Sequence, residues 1–214
     1  MDLLAALLDI ILHLDTHLLA LTQQYGMWVY GILFLIIFSE TGLVVAPFLP
    51  GDSLLFVAGA LCGMGSLELQ ILVPLLMLAA FCGDNTNYWI GRLVGLKLFT
   101  RADSRFFKHE HLDKTHAFYE KHGGKMILFA RFLPIIRTFA PFVAGVGRMS
   151  YRLFLTFSAL GSVAWISCFV ALGFFFGNIP AIKNNLTLMV LAIVFISLLP
   201  AIREFIRHRN STAK

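Results

Sequence analysis

Four ionisable side chains stand in apolar surroundings: Glu40 and Asp52 between residues 27 and 65, Arg131 and Arg137 between residues 126 and 147. A charge at the centre of a bilayer-spanning helix costs roughly 2.5–3.5 kcal/mol on insertion scales, so such groups face one another or water rather than lipid. Acids from one segment set against arginines from the other would meet that condition. A plain ion-pair clamp would meet it too, but a buried pair is often no more stabilising than apolar packing of equal volume. Four retained charges therefore point to work. Arginine offers a planar fork of donors to a phosphate, and helices broken at mid-membrane turn backbone N–H groups toward the same anion. Burial favours the protonated form of a carboxyl, whereas a neighbouring guanidinium favours the ionised form. A phosphate occupying the arginines would free the acids to take protons, which suits proton coupling. Arg131 and Arg137 are thus the candidate phosphate ligands, and Glu40 and Asp52 the candidate proton carriers.

A third acid joins them. Asp84, Tyr88, Gly91 and Gly95 fall on one face of the apolar stretch 69–99, with Asn87 beside them. Small residues let another helix approach closely, and polar ones hydrogen-bond across the contact. The stripe suits a helix–helix seam or the lining of a pathway, and an intramembrane acid belongs with the second reading.

The elements that must position these groups are not simple spans. Pro47, Pro50 and Gly51 interrupt 27–65, and Pro134 and Pro141 interrupt 126–147; proline and glycine break a helix at such points. Basic residues flank the second segment on both sides, Lys121 and Lys125 before it, Arg148 and Arg152 after. A single crossing would put one cluster on the wrong side under the positive-inside rule. A re-entrant hairpin over 126–147 puts both in the cytoplasm, and spans 153–177 and 185–202 then go out and back. Phe56-Val-Ala-Gly59 recurs as Phe142-Val-Ala-Gly145, each copy after a proline-rich break carrying ionisable groups. The expected fold is an all-α integral membrane protein of two inverted repeats, each with a re-entrant helical hairpin, plus transmembrane helices and an amphipathic helix. Residues 1–214 form one membrane domain: a first half 1–99 with hairpin 27–65, a cytoplasmic amphipathic segment 100–125, and a second half 126–206 with hairpin 126–147.

Composition agrees. The chain has 214 residues, 58% hydrophobic and only 14% charged, against about 25% charged in soluble domains, which excludes a water-soluble enzyme. Residues 1–91 hold seven acids and no base, while all 17 Lys and Arg stand at or after Arg92. Topology accounts for most of that asymmetry. Cys62, Cys82 and Cys168 are odd in number and widely spaced, which argues against a disulfide framework or zinc site and for small buried hydrophobes. His109, His111, His116 and His122 read as part of a solvated juxtamembrane helix, and His13 with His17 as a polar stripe at the lipid–water level. No cleavage site follows the first helix, so a removed signal peptide is not expected. No metal or other cofactor is expected.

The chain resembles the DedA family, the bacterial members of the SNARE-associated/VTT superfamily. The residues carrying the resemblance are Phe38-Ser-Glu40-Thr-Gly42, Pro47-Phe-Leu-Pro50-Gly51-Asp52, Gly83-Asp84 with Tyr88 and Gly91-Arg92, His122-Gly-Gly-Lys125, and Ala130-Arg131-Phe-Leu-Pro134-Ile-Ile-Arg137 through Gly145. They spread over both halves. The resemblance implies a multi-pass protein of the bacterial inner (plasma) membrane with two facing re-entrant hairpins and a cytoplasmic C-terminus. It also implies movement of a lipid phosphate between leaflets, undecaprenyl phosphate first and phospholipids in related proteins, dependent on the proton motive force. The positions this depends on match Glu40, Asp52, Arg131 and Arg137. The expected partners are membrane lipids and protons, not nucleic acid, with homo-oligomerisation left open.

Two other readings compete with this one. An enzyme acting on the same lipid would explain Ser104-Arg105 followed by His111, similar to one motif of the type 2 phosphatidic acid phosphatases. Thr115 stands where that motif needs an acid, and its companion motifs are absent, so no enzyme is expected. A proton-coupled small-ion transporter, acting on the envelope indirectly, could use the same acids and arginines.

Overall fold

The computed structural model describes residues 14–43, 51–100, 124–176 and 179. Its elements are α1 (Leu14–Tyr25), α2 (Trp28–Gly42), α3 (Gly51–Gly63), α4 (Leu69–Thr100), α5 (Lys125–Ala130), α6 (Pro134–Val146) and α7 (Tyr151–Phe176). At 1.5 Å per residue, the 32 residues of α4 and the 26 of α7 reach about 48 and 39 Å, enough to cross hydrocarbon about 30 Å thick. The 15 residues of α2 and the 13 each of α3 and α6 reach only about 20 Å and do not cross alone. The long elements match the stretches 69–99 and 153–177 expected from hydropathy. Segments 1–13, 101–123 and 185–202, and the breakers Pro47 and Pro50, lie outside the described residues.

The described residues fall into two compact units. The first takes its members from 1–36, 49–76 and 166–214. Its centre is α3, buried from Ser53 to Cys62, and Leu18, Leu33, Leu72, Ile166 and Val170 add to the core. A tight reversal joins α3 to α4: Gly65 adopts φ +77° and the Ser66 N–H closes the helix end on Leu61 O at 2.9 Å. Glycine takes that left-handed position without the Cβ clash other residues suffer. The Glu68 N–H then donates to Tyr30 Oη at 2.8 Å, tying α2 to the start of α4.

The second unit takes its members from 37–48 and 77–165. Tyr88 is fully buried there among Ile127, Ala130, Ala140, Ala144, Met149 and Phe154. Its ring stacks on Phe154 at 4.5 Å, and its hydroxyl donates to Met149 O at 2.6 Å while accepting from Arg92. The end of α6 turns through Arg148, at φ 52°, with the Met149 N–H bonded to Ala144 O at 3.0 Å.

The repeated tetrapeptide makes the same contact in each unit. In the first, Gly59 packs on the carbonyl of Val170 and Gly173 on the carbonyl of Phe56. In the second, Gly145 packs on the carbonyl of Tyr88 and Gly91 on the carbonyl of Phe142. Each time the glycine of Phe-Val-Ala-Gly and a glycine three residues along the partner helix interlock through backbone. A Cβ at any of the four would collide with a main-chain carbonyl, so side-chain movement cannot relieve it.

Polarity is inverted relative to a soluble protein. Glu40, Asp84, Asn87, Arg131, Arg137, Thr138, Ser158 and Ser162 are buried, while Leu35, Leu78, Leu93, Phe129, Leu160 and Phe175 are exposed. Lipid is the solvent that suits such a surface: this is an all-helical membrane protein. Of the three cysteines expected to be buried, Cys62 is, Cys82 is half-buried and Cys168 is exposed on α7.

Candidate functional site

Residues six apart on an unbroken helix point about 120° away from each other. Arg131 and Arg137 escape that divergence because the helix stops between them. The residue before a proline is pushed to extended backbone, and Leu133, ahead of Pro134, has φ −114° and ψ 106°. Proline at the first helical position then restarts the helix as α6. Arg131 caps the short α5 and Arg137 is the fourth residue of α6. Pro141, expected as a second break, does not interrupt α6, which runs through it to Val146. It withholds one N–H from the Arg137 carbonyl, a loss the rest of the helix absorbs.

Both guanidiniums are buried, with 3% and 5% exposure. Arg137 pairs with Glu40, in the last turn of α2, through Nη2 and Oε1. Arg131 pairs with Asp84 of α4 through Nη2 and Oδ2. Ser158 Oγ donates to the same Asp84 oxygen at 2.6 Å. Arg131 Nη1 also donates to Ser162 Oγ, which passes its own proton donor to Ser158 O at 2.8 Å. Trp165, fully buried, lies under both cations: its ring centre is 4.4 Å from Arg137 Cζ and 5.8 Å from Arg131 Cζ. An aromatic face attracts a cation without consuming its N–H donors. One indole therefore holds two like charges in one pocket while their forks point at the carboxylates.

Helix dipoles oppose the Glu40–Arg137 pair. An acid is disfavoured at a helix C-terminus and a base at an N-terminus, yet Glu40 closes α2 and Arg137 opens α6. Each depends on the other for compensation.

Of the residues singled out from the sequence, Glu40, Asp84, Arg131 and Arg137 meet in this site. Arg131 takes Asp84 as its carboxylate, and Asp52 lies in the first unit, half-buried in the first turn of α3 just after Gly51. An acid there complements the dipole of its own helix. Ser158, Gly161, Ser162 and Trp165 were not foreseen. They follow at i, i+3, i+4 and i+7 on one face of α7. That polar and small stripe, in an otherwise apolar span, was the available signal. Gly161 belongs to it for a steric reason, since a Cβ there would stand 3.3 Å from Arg131 Cδ.

Comparison with known proteins gives the family of the chain. A VTT domain is matched over residues 49–175. The protein DedA of Escherichia coli K12 is 55% identical over 216 aligned residues, covering 100% of this chain and 99% of that one. An uncharacterized membrane protein of Mycobacterium tuberculosis H37Rv is 46% identical over 187 residues, 85% of this chain and 82% of the relative. The inner membrane protein YqjA of E. coli K12 is 33% identical over 183 residues, 84% and 81% of the two chains. No solved structure matches the chain.

Proposed function

The chain belongs to the DedA family of VTT-domain membrane proteins, and on that footing we propose that it moves a lipid phosphate between the leaflets of the bacterial inner membrane. Undecaprenyl phosphate is the substrate proposed, with the proton motive force as the drive and no chemical step. The observation that carries the reading is the pair of buried arginines, each masked by a carboxylate and both resting on Trp165. Carboxylate and phosphate compete for the same planar fork of donors. A head group entering the site takes Arg137 from Glu40, and the released carboxylate, now without its counter-ion and out of water, takes a proton. Loss of that proton on the other side lets Glu40 recapture Arg137 and expel the phosphate. Arg131 and Asp84 act in the same sense, and Asp52 of α3 is a third protonatable group. The prenyl tail stays in lipid.

Two features support a transporter plan. Helices too short to cross alone, on either side of a break, suit re-entrant hairpins: α2 with α3, each about 20 Å, and α5 with α6, about 9 and 20 Å. The shared Phe-Val-Ala-Gly interlock suits two repeats, inverted so that the hairpins enter from opposite faces, with the C-terminus cytoplasmic.

Translocation of undecaprenyl phosphate by the purified protein in proteoliposomes tests the reading. Arg137→Ala is expected to lower the rate at least 100-fold, in line with loss of a charge-assisted bidentate contact to the phosphate together with removal of the guanidinium that pairs with Glu40. Unchanged transport in that variant would remove Arg137 from the mechanism. Transport of a phosphodiester lipid, or of inorganic phosphate, at equal efficiency would move the assignment to a phospholipid flippase or a small-ion transporter.

A further inference from the structure

One buried polar residue beside the two pairs has no part in the exchange just described. Asn87 is fully buried on α4, one turn beyond Asp84. Its Nδ2 donates to two main-chain carbonyls, Thr41 O at 3.0 Å and Thr138 O at 2.7 Å. These carbonyls belong to different elements, 97 positions apart. Thr41 follows Glu40 at the end of α2, and Thr138 follows Arg137 in the first half of α6. A single amide nitrogen therefore joins the backbones immediately after the two members of one ion pair.

The geometry points to Asn87 as a positioning residue: a neutral pin that holds the backbones of Glu40 and Arg137 in register while their side chains exchange partners with the substrate phosphate. Asparagine suits the task. It is short, uncharged, and carries two hydrogens on one nitrogen. Lysine would bring a fifth charge into a cluster that balances two arginines against two carboxylates. The other end of the amide says the same. Asn87 Oδ1 is buried with no hydrogen-bond partner, and a stranded acceptor is unfavourable, so the residue is placed for its N–H groups. The carbonyl of Thr41 lies in the last turn of α2, where helices leave carbonyls without internal donors; the pin supplies one. Close packing of Gly83 on Thr41 and Phe38 brings α4 near enough for it to do so.

The consequence is pre-organisation. Swapping a carboxylate for a phosphate on Arg137 needs only side-chain motion if the two backbones stay fixed, and a site held in its binding geometry gives affinity that a loose one forfeits. This inference rests on the lipid-phosphate reading for its ligand but not for its geometry, and the test separates the two.

The isosteric Asn87→Asp, which loses the two-donor nitrogen and keeps at most one donor, when protonated, and Asn87→Gln, which keeps both on a longer stem, are compared with wild type in nanodiscs, with Asn87→Leu as the uncharged control without donors. Amide hydrogen exchange by mass spectrometry and binding and transport of undecaprenyl phosphate are measured on the same samples. In Asn87→Asp and Asn87→Leu, exchange should rise together in 37–43 and 134–143 and stay unchanged in 154–165. The concentration for half-maximal transport should rise about tenfold, the scale of the lost hydrogen bonds, with a smaller change in the rate at saturation. Asn87→Gln should fall between, and it carries the test if Asn87→Asp does not fold. Exchange that rises in one segment only, or equally across 154–165, overturns the pin; so does an unchanged half-saturation concentration. If wild type itself binds no undecaprenyl phosphate, the lipid reading fails and the exchange pattern alone decides the pin.

Discussion

At the scale of the residue, the Asp84–Arg131 pair separates stability from function. Asp84 Oδ2 takes two donors, Arg131 and Ser158, so deleting the acid strands a buried cation, whereas deleting the serine hydroxyl removes one hydrogen bond. Asp84→Ala should destabilise the protein by about 3–5 kcal/mol, the scale of breaking a buried pair. Ser158→Ala should cost about 1.5–3 kcal/mol, the range for a hydrogen bond to a charged group. Removing both charges together is the informative case. Asp84→Leu with Arg131→Met should recover most of the stability, because apolar packing of similar volume replaces an ion pair without loss. Thermal unfolding in detergent ranks the three variants. Transport should stay abolished in the double variant; a stable and active one would reduce the pair to a clamp.

Elements explain what could and could not be read in advance. The interlocking glycines make the strongest demand on backbone approach, and their substitution should register as stability. Gly91→Ala places a methyl group against the Phe142 carbonyl and should destabilise by about 1–3 kcal/mol, the usual range for overpacking. Gly31→Ala, on an open face of α2 with nothing within 4 Å, should stabilise by about 0.5–1 kcal/mol; thermal unfolding of the pair gives the contrast. The matching tetrapeptides were visible in sequence, and Phe56–Gly59 and Phe142–Gly145 each make the same glycine–carbonyl contact. The long helices were visible because α4 and α7 keep apolar composition over many turns. The break at Pro134 was visible because a residue before proline leaves the helical region. Pro141 misled for a related reason: proline removes one hydrogen bond wherever it stands, and whether the helix then stops depends on what packs around it. The partner of Arg131 was hidden in the same way. Nothing local marks Asp84 as its counter-ion, since that choice is made by tertiary packing: Ser158 of α7 bonds Asp84, while Gly161 and Ser162 lie against Arg131.

For the whole molecule, charge is the coordinate that relates the fold to its membrane. Arg148 and Arg152 stand exposed beyond the end of α6, and Lys125 opens α5. Between them lie 6 residues of α5 and 13 of α6. Each helix is too short for a crossing, at about 9 and 20 Å against 30 Å of hydrocarbon. Joined end to end they would approach one bilayer thickness, so length alone does not choose between a crossing and a hairpin. The arginines favour the hairpin. A straight crossing would leave Arg131 and Arg137 on divergent faces, one of them toward lipid at a cost of roughly 2.5–3.5 kcal/mol or more. The break lets both rest on Trp165 instead, and the proposed hairpin would return the chain to the side it left. Single cysteines at Lys125 and Arg148, in a background lacking Cys62, Cys82 and Cys168, should then react from the same side. In intact cells an impermeant maleimide should spare both, and in inverted membrane vesicles it should label both, because the positive-inside rule assigns them to the cytoplasm. Labelling of one from each side would replace the hairpin by a span and with it the inverted-repeat plan. The buried Arg137–Glu40 pair would then need a different route of access for its phosphate.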